Sequence, residues 1–265
     1  MKSAEFLNYS ILACFLITFL RFQAEAQPEF IWAKQFAPGN NATSAPSDKG
    51  TGIVTDAEGN IYFVGKFYGK ADFDPGQGTH YLQSAGASDA FVCKLNPLGE
   101  LVWVKQISGV NNQECNGISI DKNRNLYITG AMQGITRFSP CELIEPLGYQ
   151  DAFVCKLNAA GELQWVKILG GQPGSMDNNI GMSVSADSEG NVYSVGLIYY
   201  SAGGIDLDPG PGMHYLSSAG DFDVYISKLD ANGDFVWGKS IGGTGREYGN
   251  GISVDFSGNA YITGS

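Results

Sequence analysis

Two short stretches of this chain carry alternate carboxylates beside a tight turn: Asp72-Phe73-Asp74-Pro75-Gly76 and Asp206-Leu207-Asp208-Pro209-Gly210. Asp72, Asp74, Asp206 and Asp208 are therefore candidate oxygen ligands for Ca2+, with backbone carbonyls completing the shell. Both stretches lack the full D-x-D-x-D-G spacing and its acidic closing residue, so an Asp-capped Pro-Gly turn is the simpler reading. The two histidines, His80 and His214, hold equivalent places in THYLQSAG and MHYLSSAG. A catalytic base works in a singular environment, so a duplicated histidine points to structure. There is no H-E-x-x-H and no C-x-x-C pair, which leaves zinc without a motif. The run Gly242 to Gly249 has the letters of a phosphate loop, but it leads into a strand pattern with no helix N-terminus to cradle an anion. No residue is assigned to catalysis, and Ca2+ is the one cofactor with candidate ligands.

The remaining reactive groups follow the same logic. Cys93 and Cys155 occupy one equivalent position, filled by Ser227 in the next unit, and read as small core side chains. Cys115 and Cys141 interrupt the same repeat and are candidates for a disulfide in an exported chain. The polar residues that break the repeat, Glu114, Arg137, Glu142, Glu145, Arg246 and Glu247, are scattered over two units and suggest no reaction. A net charge of -11 with 16 dispersed Lys and Arg repels phosphate backbones, so nucleic acid is excluded as a partner. Gly accounts for 36 of 265 residues alongside plentiful aromatics, which signals tight turns between packed strands.

Those strands recur. Trp32, Trp103, Trp165 and Trp237 stand in FIWAKQF, LVWVKQI, LQWVKIL and FVWGKSI, roughly 60–70 residues apart, the mark of a repeat fold. Before each of the later tryptophans come three further segments in fixed order. Segment a is Gly52 to Asp56, echoed at 117–121, 183–187 and 251–255; segment b is Asn60 to Gly65, echoed at 125–130, 191–196 and 259–264. Segment c is Asp89 to Leu95, echoed at 151–157 and 223–229, and segment d carries the tryptophan. Each is short, rich in β-branched and aromatic residues, and bounded by Gly, Asn or Asp. D-x-x-G-N turns join a to b, and turns such as Asn96-Pro97-Leu98-Gly99 join c to d, so both joints read as hairpins.

Four antiparallel strands per unit, repeated, predict an all-β fold: a β-propeller of four-stranded blades. The blade units are expected at about 50–107, 116–169 and 181–241, with a partial unit at 249–265 and a leading strand at 30–36. That arithmetic leaves the ring incomplete and suggests a fragment of a longer protein. The four tryptophans are predicted to be structural, packing blade against blade. The a–b and c–d turns fall at one end of the blades. The b–c segments, 66–88, 131–150 and 197–222, fall with the d–a connections at the other end and are long enough to add strands. Any ligand is expected at that loop-rich end.

Residues 1–26 read as a signal peptide: Lys2, an apolar core from Ile11 to Leu20, and the A-x-A site Ala24-Glu25-Ala26. The repeat region then spans 27–265, and the mature chain has no transmembrane span. The text DAFVCKLNPLGELVWVKQI, followed by GISIDKNRNLYITG, resembles the bacterial beta-propeller repeat (SBBP) family, and DVYISKLDANGDFVWGKSI with GISVDFSGNAYITG resembles it most closely. The resemblance implies a propeller in an exported, often cell-surface, bacterial protein and carries over no catalytic residues. Two departures stand in the second unit: Asp121-Lys122-Asn123-Arg124-Asn125 replaces D-x-x-G-N, and Ser139-Pro140-Cys141 replaces D-x-D-P-G. The function expected is a non-enzymatic surface or secreted scaffold that contacts protein or glycan. The competing expectation is an exported propeller enzyme, a lyase, hydrolase or quinone-dependent dehydrogenase.

Overall fold

The structure, a computed structural model, describes residues 32–38, 48–199 and 204–265. The signal segment at 1–26 lies outside them. The chain divides into Met1–Ala33 and Lys34–Ser265, and the fold below is that of the second unit. Trp32 belongs to the first. Every regular element among the described residues is a strand, and no helix there is long and apolar enough to cross a membrane.

β1 (Ala37–Pro38) precedes the first repeat, which contains β2 (Lys49–Thr55), β3 (Ile61–Phe67), β4 (Lys70–Asp72), β5 (Tyr81–Gln83), β6 (Asp89–Leu95) and β7 (Leu101–Gly109). The second contains β8 (Gln113–Ile120), β9 (Leu126–Met132), β10 (Thr136–Ser139), β11 (Glu142–Ile144), β12 (Asp151–Leu157) and β13 (Leu163–Leu169). The third contains β14 (Asn179–Ala186), β15 (Val192–Tyr199), β16 (Ile205–Asp206), β17 (Tyr215–Leu216), β18 (Phe222–Leu229) and β19 (Phe235–Ile241). The hairpin β20 (Gly249–Val254) and β21 (Ala260–Gly264) follows. Segments a to d pair in sequence order and antiparallel, as β2-β3-β6-β7, β8-β9-β12-β13 and β14-β15-β18-β19. The first of these sheets grows to six strands, because β10 of the next repeat pairs with the end of β7 at Ser108 and Gly109 and brings β11 with it. Each long b–c segment thus folds back as a short hairpin onto the repeat before it. The pairing of β4 with β1 and the Gly170–Asp206 bridge repeat that docking.

The leading strand expected at 30–36 is not formed in its described part: residues 32–36 carry no strand, and pairing starts only at Ala37–Pro38. The ladder begins only where β4 reaches Ala37 and Pro38. The suggested Cys115–Cys141 disulfide is also absent. Cys115 is fully buried in the core, Cys141 is exposed, and both are free thiols.

The a–b turn is built by one aspartate per repeat. Asp56 Oδ1 accepts from the Glu58 and Asn60 amides, and Oδ2 accepts from Asn60 Nδ2 and the Tyr62 hydroxyl. Asp121, Asp187 and Asp255 repeat the pattern with Tyr127, Tyr193 and Tyr261. In the second repeat Arg124 takes the left-handed conformation, φ 64°, that glycine supplies elsewhere, and its amide still bonds Asp121 O. Burial, with the bond to Asp56, pushes the Tyr62 hydroxyl up to about 12.

The cores lie between sheets. One cluster joins Val64, Val92 and Ile107 of the first sheet to Ile118, Ile128 and Phe153 of the second, with Trp103 against it. A second joins Tyr127, Val154 and Leu169 to Val192 and Tyr225 of the third sheet, with Trp165 against it; Trp237 packs on a third cluster beside Ile252 of β20. Each indole lies 6.1–6.4 Å from the buried Tyr62, Tyr127 or Tyr193 ring. Trp165 Nε1 donates to Ala231 O in the c–d turn of the next repeat at 3.2 Å. Gly161, with φ 74° in the equivalent turn, lies so close to Trp103 that a Cβ there would sit 3.1 Å from the ring. The first strands of successive sheets also meet: Asn116 Nδ2 donates to Gly181 O at 3.0 Å, and a Cβ on Gly117 would sit 2.8 Å from Ser183 Cα.

Two stability predictions follow from these contacts. Trp165→Ala removes a half-buried indole, its seam packing and one hydrogen bond, and should lower the unfolding free energy by about 3 kcal/mol in urea melts. Asp187 is pushed up by burial but held below 3.8 overall by bonds from the Asn191 side chain and backbone amides. Its contribution is therefore present above its unfolded value and lost as pH falls through the folded one. Asp187→Asn puts an amide donor against two donors, and should cost about 1–3 kcal/mol near neutral pH. The gap between the two proteins should close well below pH 3.8.

Candidate functional site

The predicted carboxylate sites are turns in the folded chain. Asp72 Oδ1 accepts from the Asp74 and His80 amides at 3.0 and 2.8 Å, and Asp74 Oδ1 accepts from Gly76 N at 2.8 Å. Asp206 and Asp208 do the same for Asp208, His214 and Gly210. One oxygen of each carboxylate is thus committed to closing the b–c hairpin. Among the described residues no group of three or more His, Cys, Asp and Glu could hold a metal ion. His214 Nε2 donates to Gly238 O at 3.0 Å, with its ring against Phe235, which fastens the same hairpin to β19.

The repeat-breaking residues go to different places. Glu114 forms a half-buried ion pair with Lys66 at 2.7 Å, linking β8 to β3 across the first seam. Arg246 pairs with Asp221 at 2.8 Å on the surface, and Glu247 accepts from Gly243 N, so the glycine-rich loop closes on itself. Glu145 is exposed. Arg137 and Glu142 converge, on the β10–β11 hairpin.

That hairpin forms one wall of a cleft of about 1070 Å³. The other walls are β7 and β13, through the consecutive residues 104–108 and 161–167. Because odd and even positions both line it, the cleft follows the strand edges themselves. β13 is the last strand of its sheet, so its outer ladder groups along much of its length meet no neighbouring strand. The lining of the cleft includes Lys105, Arg137 and Lys167 as cations and Glu142 and Glu162 as anions. Arg137 Nη1 donates to Pro140 O at 2.9 Å, which holds the guanidinium along its own hairpin. Cys155 lies on the floor, where burial pushes its thiol up to about 12 and removes it as a nucleophile.

Chemically, this is a polar, two-signed groove over an apolar floor, suited to holding an extended chain. The sequence marks Arg137 and Glu142 as repeat-breaking, and only the fold brings them together. The Ser139-Pro140-Cys141 departure was the signal, since it reshapes the one hairpin that walls the cleft. The thiols of the described residues give a direct check on this arrangement. In the native chain a thiol reagent should modify exposed Cys141 rapidly, while Cys93, Cys115 and Cys155 react only after denaturant is added.

Comparison with known proteins agrees with the repeat architecture. An uncharacterized WD repeat-containing protein of Acanthamoeba polyphaga mimivirus is 22% identical over 247 residues, 79% of this chain and 17% of the relative. The chain thus spans less than a fifth of the length of that curated relative. Residues 102–131 and 236–265, which each run from a d strand through the following a–b hairpin, match the beta-propeller repeat family, SBBP.

Proposed function

We propose that this chain is a non-enzymatic, exported β-propeller repeat protein whose sheets are blades about a common axis, and that it serves as a surface or secreted scaffold binding protein or glycan. The observation that carries the binding role is the cleft between β7, β13 and the β10–β11 hairpin. It is large enough for an extended ligand and offers unpaired ladder groups along β13. Its wall is also the hairpin that departs most from the repeat. Function on a repeat scaffold concentrates where one unit differs from the others. The close approach of the a strands of successive sheets supports the radial arrangement, and the signal-like text at 1–26 supports export.

The test is a binding screen of the purified chain on a glycan array and against surface-protein extracts, repeated with Arg137→Ala combined with Glu142→Ala. Loss of about tenfold or more in affinity for the captured ligand, with an unchanged unfolding midpoint, is the expected result. A ligand held equally well by the double variant would move the site elsewhere. Turnover of a glycan or peptide by the purified chain would replace the scaffold reading with an enzymatic one.

A further inference from the structure

Among the described residues, one buried acid has neither carboxylate oxygen satisfied. Asp177, in the loop between β13 and β14, is fully buried, and neither carboxylate oxygen meets a hydrogen-bond donor. Asp151, the first residue of β12, is also fully buried beside it. Its Oδ2 accepts from the Leu147 and Gly148 amides and its Oδ1 from Gly171 N. The Ser175 hydroxyl, in the same loop as Asp177, is likewise without a partner. Three glycines frame these oxygens. A Cβ on Gly148 would sit 3.2 Å from both Asp151 Oδ1 and Ser175 Oγ, one on Gly170 would sit 2.6 Å from Asp151 Cγ, and one on Gly171 would collide with Asp177 Oδ2. Asp151 Oδ1 and Asp177 Oδ2 therefore converge on the same glycine.

The neighbouring repeats show what differs here. In the first, the equivalent Asp89 accepts from the side-chain amide of Gln106 as well as from Ala85 and Gly109 amides. The residue in the place of Gln106 in the second repeat is Ile168, by its pairing with Phe153, so that donor is lost. At the place of Asp177, read from the loop bonds Ser88 N to Asn111 O and Gln150 N to Asp177 O, the first repeat has neutral Asn111. The second repeat has thus lost a donor and gained a charge at one spot. None of the ion pairs among the described residues involves either acid. Burial pushes the Asp151 carboxyl up, and the like charge of Asp177 adds to it, against the pull of three backbone bonds. Two adjacent buried carboxylates without a cation carry a heavy desolvation cost.

We propose that Asp177, Asp151 and Ser175 form a binding site for a hard divalent cation of the Ca2+ class, specific to the second repeat. The cation takes the free Asp177 oxygens, Asp151 Oδ1 and the Ser175 hydroxyl. Loop carbonyls and water complete a shell of about six to eight oxygens. Bound there, it clips the loop before β12 to the loop before β14. The site is separate from the carboxylates of the D-x-D-P-G turns and from the binding cleft.

The experiment uses the chain stripped with EGTA. Calorimetric titration with CaCl2 should show one site per chain, and the melting temperature should rise by about 5–10 °C at a hundredfold excess over Kd. Asp177→Asn should abolish both the heat and the shift while melting no lower than the wild type does in EGTA, because it removes an uncompensated charge. That second readout separates loss of the site from loss of the fold. Asp72→Ala combined with Asp206→Ala should leave binding intact. The proposal is overturned if wild type shows neither heat nor shift with millimolar Ca2+. It is equally overturned if Asp177→Asn still binds, or if the turn variant alone loses binding.

Discussion

At least one middle strand of each sheet is covered on both faces: β6, β9, β12 and β15 are buried along nearly their whole length. A sheet of that kind has no solvent face, so it is stable only with another sheet against each side. The seam between sheets is therefore the structure's governing contact. It is closed by a tyrosine from segment b, a tryptophan from segment d, and the turn of the following repeat. The tyrosine hydroxyl ends on the turn aspartate, which lets the ring be buried without orphaning its polar tip. One set of residues thereby ties turn geometry, strand register and sheet packing together.

The same dependence on neighbours places the candidate site. Each b–c hairpin docks on the preceding repeat's last strand, so a groove between successive d strands has walls from two repeats. In the first seam that hairpin is β10–β11, which pairs with the end of β7 and whose Arg137 and Glu142 line the cleft. Neither repeat alone would contain the cleft. The hairpin is also rooted in the seam, since Phe138 packs edge-on against Phe153 and Thr136 accepts from Gln113 Nε2, while Arg137 and Glu142 line the cleft.

Buried acids follow the repeat less faithfully than buried apolar residues do. Asp89, Asp151 and Asp223 all stand in the first two residues of a central strand and are all buried, yet their partners differ. Asp89 has a side-chain amide, Asp151 has backbone amides and a second acid nearby, and Asp223 accepts from Ala219 N with its other oxygen unmatched. Apolar positions tolerate exchange of one methyl-bearing side chain for another. A carboxylate's environment changes character when a single donor such as Gln106 becomes Ile168.

By itself the sequence determined segments a to d, their order within each repeat and the recurrence of Trp103, Trp165 and Trp237 in segment d. Those features repeat, and periodicity exposes residues that answer the same local demand: alternation along a strand, an Asp-Gly turn, an aromatic at the seam. It also marked Arg137, Glu142 and the Ser139-Pro140-Cys141 substitution as departures. Only the tertiary structure decided that β10 extends the preceding sheet, that Cys115 and Cys141 lie apart, and that Asp177 meets Asp151. Each of these is a contact between segments distant in the chain, fixed by how sheets stack and loops converge. No local pattern of residue types encodes that distance.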